Sequence, residues 1–157
     1  MQPQRRLSHV QGYLALGMVA EAAAELELIP LPERDSLEVL GLRVAVLQEQ
    51  GDWSALATHA GEFARRAPTE AAAWVTWAYA TRRAETLIAA EKILLKAETL
   101  HPAEPTIQFN LGCYACQRGD LAEARRRVDR AIALDTNFRA LAGTDPDLAP
   151  LRAQSAS

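Results

Sequence analysis

Only two cysteines occur among the 157 residues, and both, Cys113 and Cys116, fall in one short stretch. They cannot staple distant parts of the chain, so stability has to come from an apolar core. Histidine is as scarce: His9, His59 and His101 lie far apart, none beside a nucleophile with an orienting acid, and no second cysteine pair completes a zinc site. No glycine-rich phosphate loop is present. No uninterrupted apolar stretch reaches secretory or membrane-spanning length, and the chain runs from Met1 straight into an amphipathic pattern, so a cytoplasmic protein without a membrane partner is expected. Nor is there an excess of positive charge. The 17 Lys and Arg against 20 Asp and Glu leave a net charge of -3, whereas a nucleic-acid surface usually requires a basic face. No cofactor and no catalytic residue is indicated.

Glycine and proline, 8 each, are too few for a sheet built on many tight turns. What is abundant is alanine, leucine, glutamate and arginine, all strong helix formers, within a 49% hydrophobic composition large enough to fill a core. The expected class is all-α.

Self-comparison yields a period of 34 residues without gaps: Gly17, Gly51 and Gly119 are one or two such intervals apart, with Glu85 in the missing place. The same shift links Val10, Val44, Ala78 and Gly112, then Ala22, Leu56, Ala90 and Ala124, then Leu26, Ala60, Leu94 and Val128, and Ile29, Phe63, Ala97 and Ala131. On both sides of each turn the apolar residues follow helical spacing, so each unit reads as helix, turn, helix. Glycine can end the first helix in the left-handed region, and Asp52 or Asp120 can cap the second. Pro68 and Pro102 stop the second helices at equivalent places. Asp35 with Glu38 reads as a capping box after the Pro30-Leu31-Pro32 break, where the stack should kink. A looser turn is expected at Glu85-Thr86.

This pattern resembles the tetratricopeptide repeat. The fourth unit carries it best, in Asn110-Leu111-Gly112, Gly119-Asp120-Leu121, Glu123-Ala124 and Ala131-Ile132-Ala133-Leu134-Asp135, with Thr136 in place of the closing proline. In the third unit Trp74, Ala78, Ala90, Leu94, Ala97 and Pro102 fit; the first departs most, with His9 at a usually apolar position. The resemblance implies a right-handed α-solenoid of four hairpins, about residues 3–36, 37–70, 71–104 and 105–138, in a single domain over 1–152. A stack of hairpins leaves its last apolar face bare, and residues 138–152, through Leu141, Leu148 and Leu151, are expected to cover it. That stretch is similar to the tail of small bacterial repeat proteins of this kind. Residues 153–157, polar and small, read as a disordered tail.

The resemblance further implies that first helices line a concave, peptide-binding groove. The corresponding positions are Val75, Thr76, Tyr79 and Arg82 in the third unit and Phe109, Asn110, Cys113 and Cys116 in the fourth; the second offers Glu38, Leu42, Ala45 and Gln48, and the first Leu7, Gln11 and Leu14. Places where relatives carry a carboxylate clamp hold Leu7, Gln11, Leu42, Ala72 and Thr76, which argues against that mode. Tyr79 and Phe109 would grip an apolar side chain and Arg82 an acidic group, unless the two rings pack between repeats instead. Cys113 and Cys116 have redox spacing, but they lie inside a helix rather than at its N-terminus. Arg125-Arg126-Arg127 and Arg130, diluted by Asp120, Glu123 and Asp129, spread around their helix and read as a solvated face. Trp74 and Trp77, three apart, read as core. The expected function is a non-catalytic protein-interaction module, monomeric or weakly self-associating, whose partner is a peptide or helical segment. Two alternatives are a secretion-type chaperone and a subunit that stacks end to end.

Overall fold

The structure, a computed structural model, describes residues 2–157; Met1 lies outside them. All regular elements of the described residues are helical. The chain forms two compact units, one ending at Glu85 and the other running from Thr86 to Ser157, and the boundary falls inside the third period.

The first unit contains α1 (Pro3–Ala15), α2 (Val19–Glu27), α3 (Leu37–Gln50), α4 (Trp53–Arg66) and α5 (Ala71–Ala84). The glycine turns have the expected conformation. Gly17 and Gly51 sit at φ 72° and 69°, and the next amide reaches back to the helix: Met18 N donates to Tyr13 O at 2.8 Å, Asp52 N to Leu47 O at 3.2 Å. Asp52 Oδ1 then accepts from Ala55 N, capping α4. At Ala67, before Pro68, φ is -130° and ψ 65°, outside the helical region that a following proline disfavours. The Trp74 indole donates to Pro68 O at 3.0 Å and fixes this corner, while its ring is buried as expected of core.

Two details of this unit differ from the sequence reading. The cap of α3 is Ser36, whose Oγ accepts from Val39 N, whereas Asp35 belongs to a 3-10 turn over Glu33–Asp35. The preceding break is closed by Arg34, which donates to Ile29 O at 2.8 Å and Glu27 O at 2.6 Å, supplying cationic donors to the end of the short α2. His9 stands half-exposed beside Glu25, at 3.8 Å, with Arg6 donating to the same carboxylate at 2.9 Å; polar contacts replace apolar packing there.

Packing follows the periodic columns. Ala22, Leu56, Ala90 and Ala124 are all fully buried, and so, within 2%, are Leu26, Ala60, Leu94 and Val128. Where paired helices cross, side chains have to be small: a Cβ on Gly61 of α4 would lie 2.8 Å from Cε2 of Trp77 on α5.

The second unit contains α6 (Leu87–Leu100), α7 (Pro105–Gln117), α8 (Leu121–Leu134), α9 (Phe138–Thr144) and α10 (Ala149–Ser155), the last preceded by a 3-10 turn at Pro146–Leu148. Gly119 repeats the left-handed turn at φ 87°, with Asp120 N donating to Ala115 O at 2.9 Å. Glu85, in the equivalent place of the period, has φ -129° and ψ -103°, and Thr86 caps α6 through Ala89 N. A glutamate avoids the left-handed region, so the chain ends α5 in another way. His101 before Pro102, at φ -133° and ψ 62°, repeats the Ala67 corner.

Leu148 and Leu151 are buried as expected of a cap, but Leu141 is 49% exposed and does not serve as one. Helix α10 runs through Ser155, so helical structure extends into the stretch expected to be a disordered tail.

These turns generate a paired prediction. Gly51→Ala forces a Cβ into the left-handed region and should cost about 1–2 kcal/mol in urea denaturation. Gly12→Ala, mid-helix with nothing within 4 Å of the new methyl, should instead be neutral or stabilising, by up to ~1 kcal/mol. Equal effects at the two sites would contradict this account of the turns.

Candidate functional site

Helix α5 presents Val75, Thr76, Tyr79 and Arg82 at helical spacing on one side. Val75 and Thr76 are half-buried, and Tyr79 is 44% exposed. The Tyr79 ring meets Trp53 edge-on, with centroids 5.5 Å apart and planes at 76°. Arg83 stacks on Trp53 at 4.5 Å and lies 5.7 Å from the Tyr79 ring. Tyr79 is thus anchored on one side and open to solvent on another. Arg82 is half-buried and has a partner within the protein.

The fourth-unit residues require a larger correction. Phe109, Cys113 and Cys116 are buried to within 5%. Every residue of α7 from Leu111 to Cys116 is enclosed, because α6, α8 and the Pro146–Leu148 turn all pack on this helix. The Phe109 ring stacks at 5.2 Å on Phe138 of α9. These three side chains belong to the interior, and of that set Asn110 alone is partly accessible.

Their place is taken by a recess that the sequence reading missed. Gly41 and Val44 of α3, Ala60 and Phe63 of α4, and Glu70, Ala72, Ala73 and Thr76 at the start of α5 enclose about 230 Å³ of mostly apolar space. Thr76 is the residue it shares with the expected groove. Gly41 lines the recess, where its period-equivalents are the larger Leu7, Val75 and Phe109. A Cβ on Gly41 would lie 3.1 Å from Cε2 of Phe63. That single small member of a column of larger residues was the available signal. At the mouth, the Glu70 side chain makes no capping bond and has no ion-pair partner among the described residues. Glu38 stands one turn before Gly41 on α3.

A second polar group departs from the solvated-face reading. Arg127 of α8 is buried and bonds Glu98 of α6, Gln108 of α7 at 2.9 Å and Glu123 at 2.8 Å. Arg126 also grips Glu123, at 2.7 and 2.9 Å. The hydrogen bond from Arg126 does most to lower the Glu123 carboxyl, which falls to about 2, with Arg127 adding to it against the opposing cost of burial. Burial works against ionised Glu98, yet the bonds from Arg127 and Gln108 outweigh it and hold its pKa below the usual range. The cluster joins three helices of the second unit and is structural.

Among the described residues one trio approaches metal-ligand geometry: Cys113, Asp145 and Asp147, with donor atoms within 4.8 Å. Asp145 Oδ1 already accepts from Asp147 N at 2.9 Å, closing the turn before α10. A soft thiolate beside two hard carboxylates, without histidine, matches no common metal preference well. No described helix is long and apolar enough to cross a membrane.

The fold is that of tetratricopeptide-repeat proteins, an all-α assembly of helical hairpins. A thermophilic TPR protein from Thermus thermophilus aligns with a TM-score of 0.69 at 19% identity, over 98% of this chain and 83% of its own. MamA from Desulfovibrio magneticus RS-1 aligns at 0.75 and 16%, over 98% and 91%, and MamA of strain MSR-1 at 0.62 and 16%, over 98% and 94%. No family model and no curated protein sequence matches the chain.

The lowered Glu123 carboxyl sets a pH dependence. Its folded pKa lies below the unfolded value of 4.5, so its contribution is complete above that value and is lost as pH falls toward 2. Glu123→Gln should be less stable than wild type at pH 6 in thermal melts, with the gap closing towards pH 2. A gap that stays constant with pH would contradict this assignment.

Proposed function

We propose that the chain is a non-catalytic protein-interaction module that holds a peptide or helical segment of a partner across the first-helix faces of α3 and α5. The observation that carries this reading is the apolar recess beside Gly41, a concave site of about 230 Å³. Cofactor pockets begin at about 300 Å³ and combine apolar walls with several convergent polar groups. Here the size suits one or two inserted side chains, and the polar side chains are those of Glu70 and Thr76. A partner would be anchored by an aliphatic or aromatic residue in the recess, since buried anchors of that kind dominate binding energy. The open side of Tyr79 on the same helix adds apolar contact further along. The tetratricopeptide fold supports the same reading, because stacked hairpins offer extended surfaces suited to segments of chain.

The test fills the recess. Thr76→Trp and Ala73→Trp place bulk where the anchor would sit, while Lys92→Trp, at an exposed position of α6, serves as control. Capture of a partner identified with the wild-type chain should fall at least tenfold for both recess variants and stay unchanged for the control. Capture that survives both, with melting temperatures showing the variants folded, would remove the recess as the site.

A further inference from the structure

Within the second unit, α8, the end of α9 and α10 converge on a second pocket, of about 290 Å³. Its floor is apolar, formed by Val128, Ile132, Leu148 and Leu151. Arg125, Arg139 and Arg152 surround that floor, with Asp129 as the single carboxylate among the lining residues.

The state of each cation matters more than their number. Arg152 is fixed in place, its Nη1 donating to Ala142 O and Asp145 O, both at 2.9 Å. Arg125 bonds the Ser155 hydroxyl. Those acceptors are neutral, so neither guanidinium charge is compensated by them. Arg139 is exposed, and its side chain makes no hydrogen bond or ion pair among the described residues. The contrast with Arg126 and Arg127, both paired with Glu123 on the same α8, is local: that side of the helix neutralises its arginines and this side leaves them open. Three uncompensated cations against one carboxylate give a positive potential at the mouth of an apolar cavity, which attracts an anion carrying apolar surface.

We propose that this pocket is a second binding site, separate from the α3–α5 recess, for a partner segment that places an aliphatic side chain beside one or two carboxylates. The aliphatic group would lie on Ile132, the half-buried member of the floor, above Val128, Leu148 and Leu151, and the carboxylates would meet Arg139 and the held guanidinium of Arg152 in charge-assisted hydrogen bonds. A protein segment is favoured over a cofactor, because the volume lies at the lower limit of small-molecule pockets and no phosphate-binding loop accompanies it. The site does not depend on the recess and can be tested alone.

The experiment uses the full chain with isotope-labelled methyl groups and a short, end-blocked peptide centred on Asp-Leu-Glu. Binding should move the methyl resonances of Val128, Ile132, Leu148 and Leu151, and should weaken at high salt. The isosteric Asn-Leu-Gln peptide should bind at least tenfold more weakly. Arg139→Glu, which breaks no internal bond, should weaken the acidic peptide at least tenfold at an unchanged melting temperature. Methyl shifts elsewhere, equal binding of the neutral peptide, or indifference to Arg139→Glu would overturn the proposal. So would occupation by decanoate where the peptide fails to bind, which would make the site one for fatty carboxylates. A concentration-dependent rise in mass abolished by Arg139→Glu would also overturn it, by assigning the pocket to a second copy of the chain.

Discussion

Close approach between paired helices is the constraint on which the remaining structure depends. At Gly61 against Trp77, and at Gly112 against Val128, a single additional methyl would lie under 3.0 Å from a neighbouring carbon. Interiors packed to crystal-like density cannot absorb such an overlap without moving a helix. Those contacts fix how α4 meets α5 and how α7 meets α8. With the helices held at that distance, Trp77 and Val128 have defined places, and the buried alanines of the periodic columns have something to pack against. The left-handed Gly119 returns the chain from α7 to α8, and the Ala67–Pro68 corner returns it from α4 to α5.

The same constraint explains why surface chemistry differs from one period to the next. A column of equivalent positions shares a location but not a side-chain size, and function can occupy the exceptions. Gly41, standing where other periods have Leu7, Val75 and Phe109, lets the Phe63 ring approach to 3.1 Å from where a Cβ would stand, and the two residues line the recess together. In the second unit the order is reversed: Phe109 fills its position and stacks on Phe138, and α7 becomes interior. One repeat thus yields an open recess in one unit and a closed core in the other.

Much of this architecture was legible in the sequence, because period and turn chemistry are local. Gly17, Gly51 and Gly119 pointed to left-handed turns, and Pro68 and Pro102 required stops. Enclosure is not local. The family resemblance placed Phe109, Cys113 and Cys116 on the groove side of their helix without revealing that every side of α7 would be covered. Three consecutive arginines spread around a helix, and nothing in their order said that Arg127 would turn inward to meet Glu98 and Gln108, which come from two other helices. Ser36 displaced Asp35 as a cap by one position, because both residue types can accept from a first-turn amide and the 3-10 turn takes up Asp35. Leu141 had the right character for a cap but lies on the outward side of a seven-residue helix.

The central claim is that a partner is held at the apolar recess lined by α3, α4 and the start of α5. Hydrogen–deuterium exchange on the chain with and without a captured partner addresses it most directly, since bound segments slow local opening. Slower exchange is predicted in the peptides covering Glu38 to Val44 and Ala72 to Tyr79. Slower exchange confined to α8, α9 and α10, with α3 and α5 unchanged, would contradict the claim.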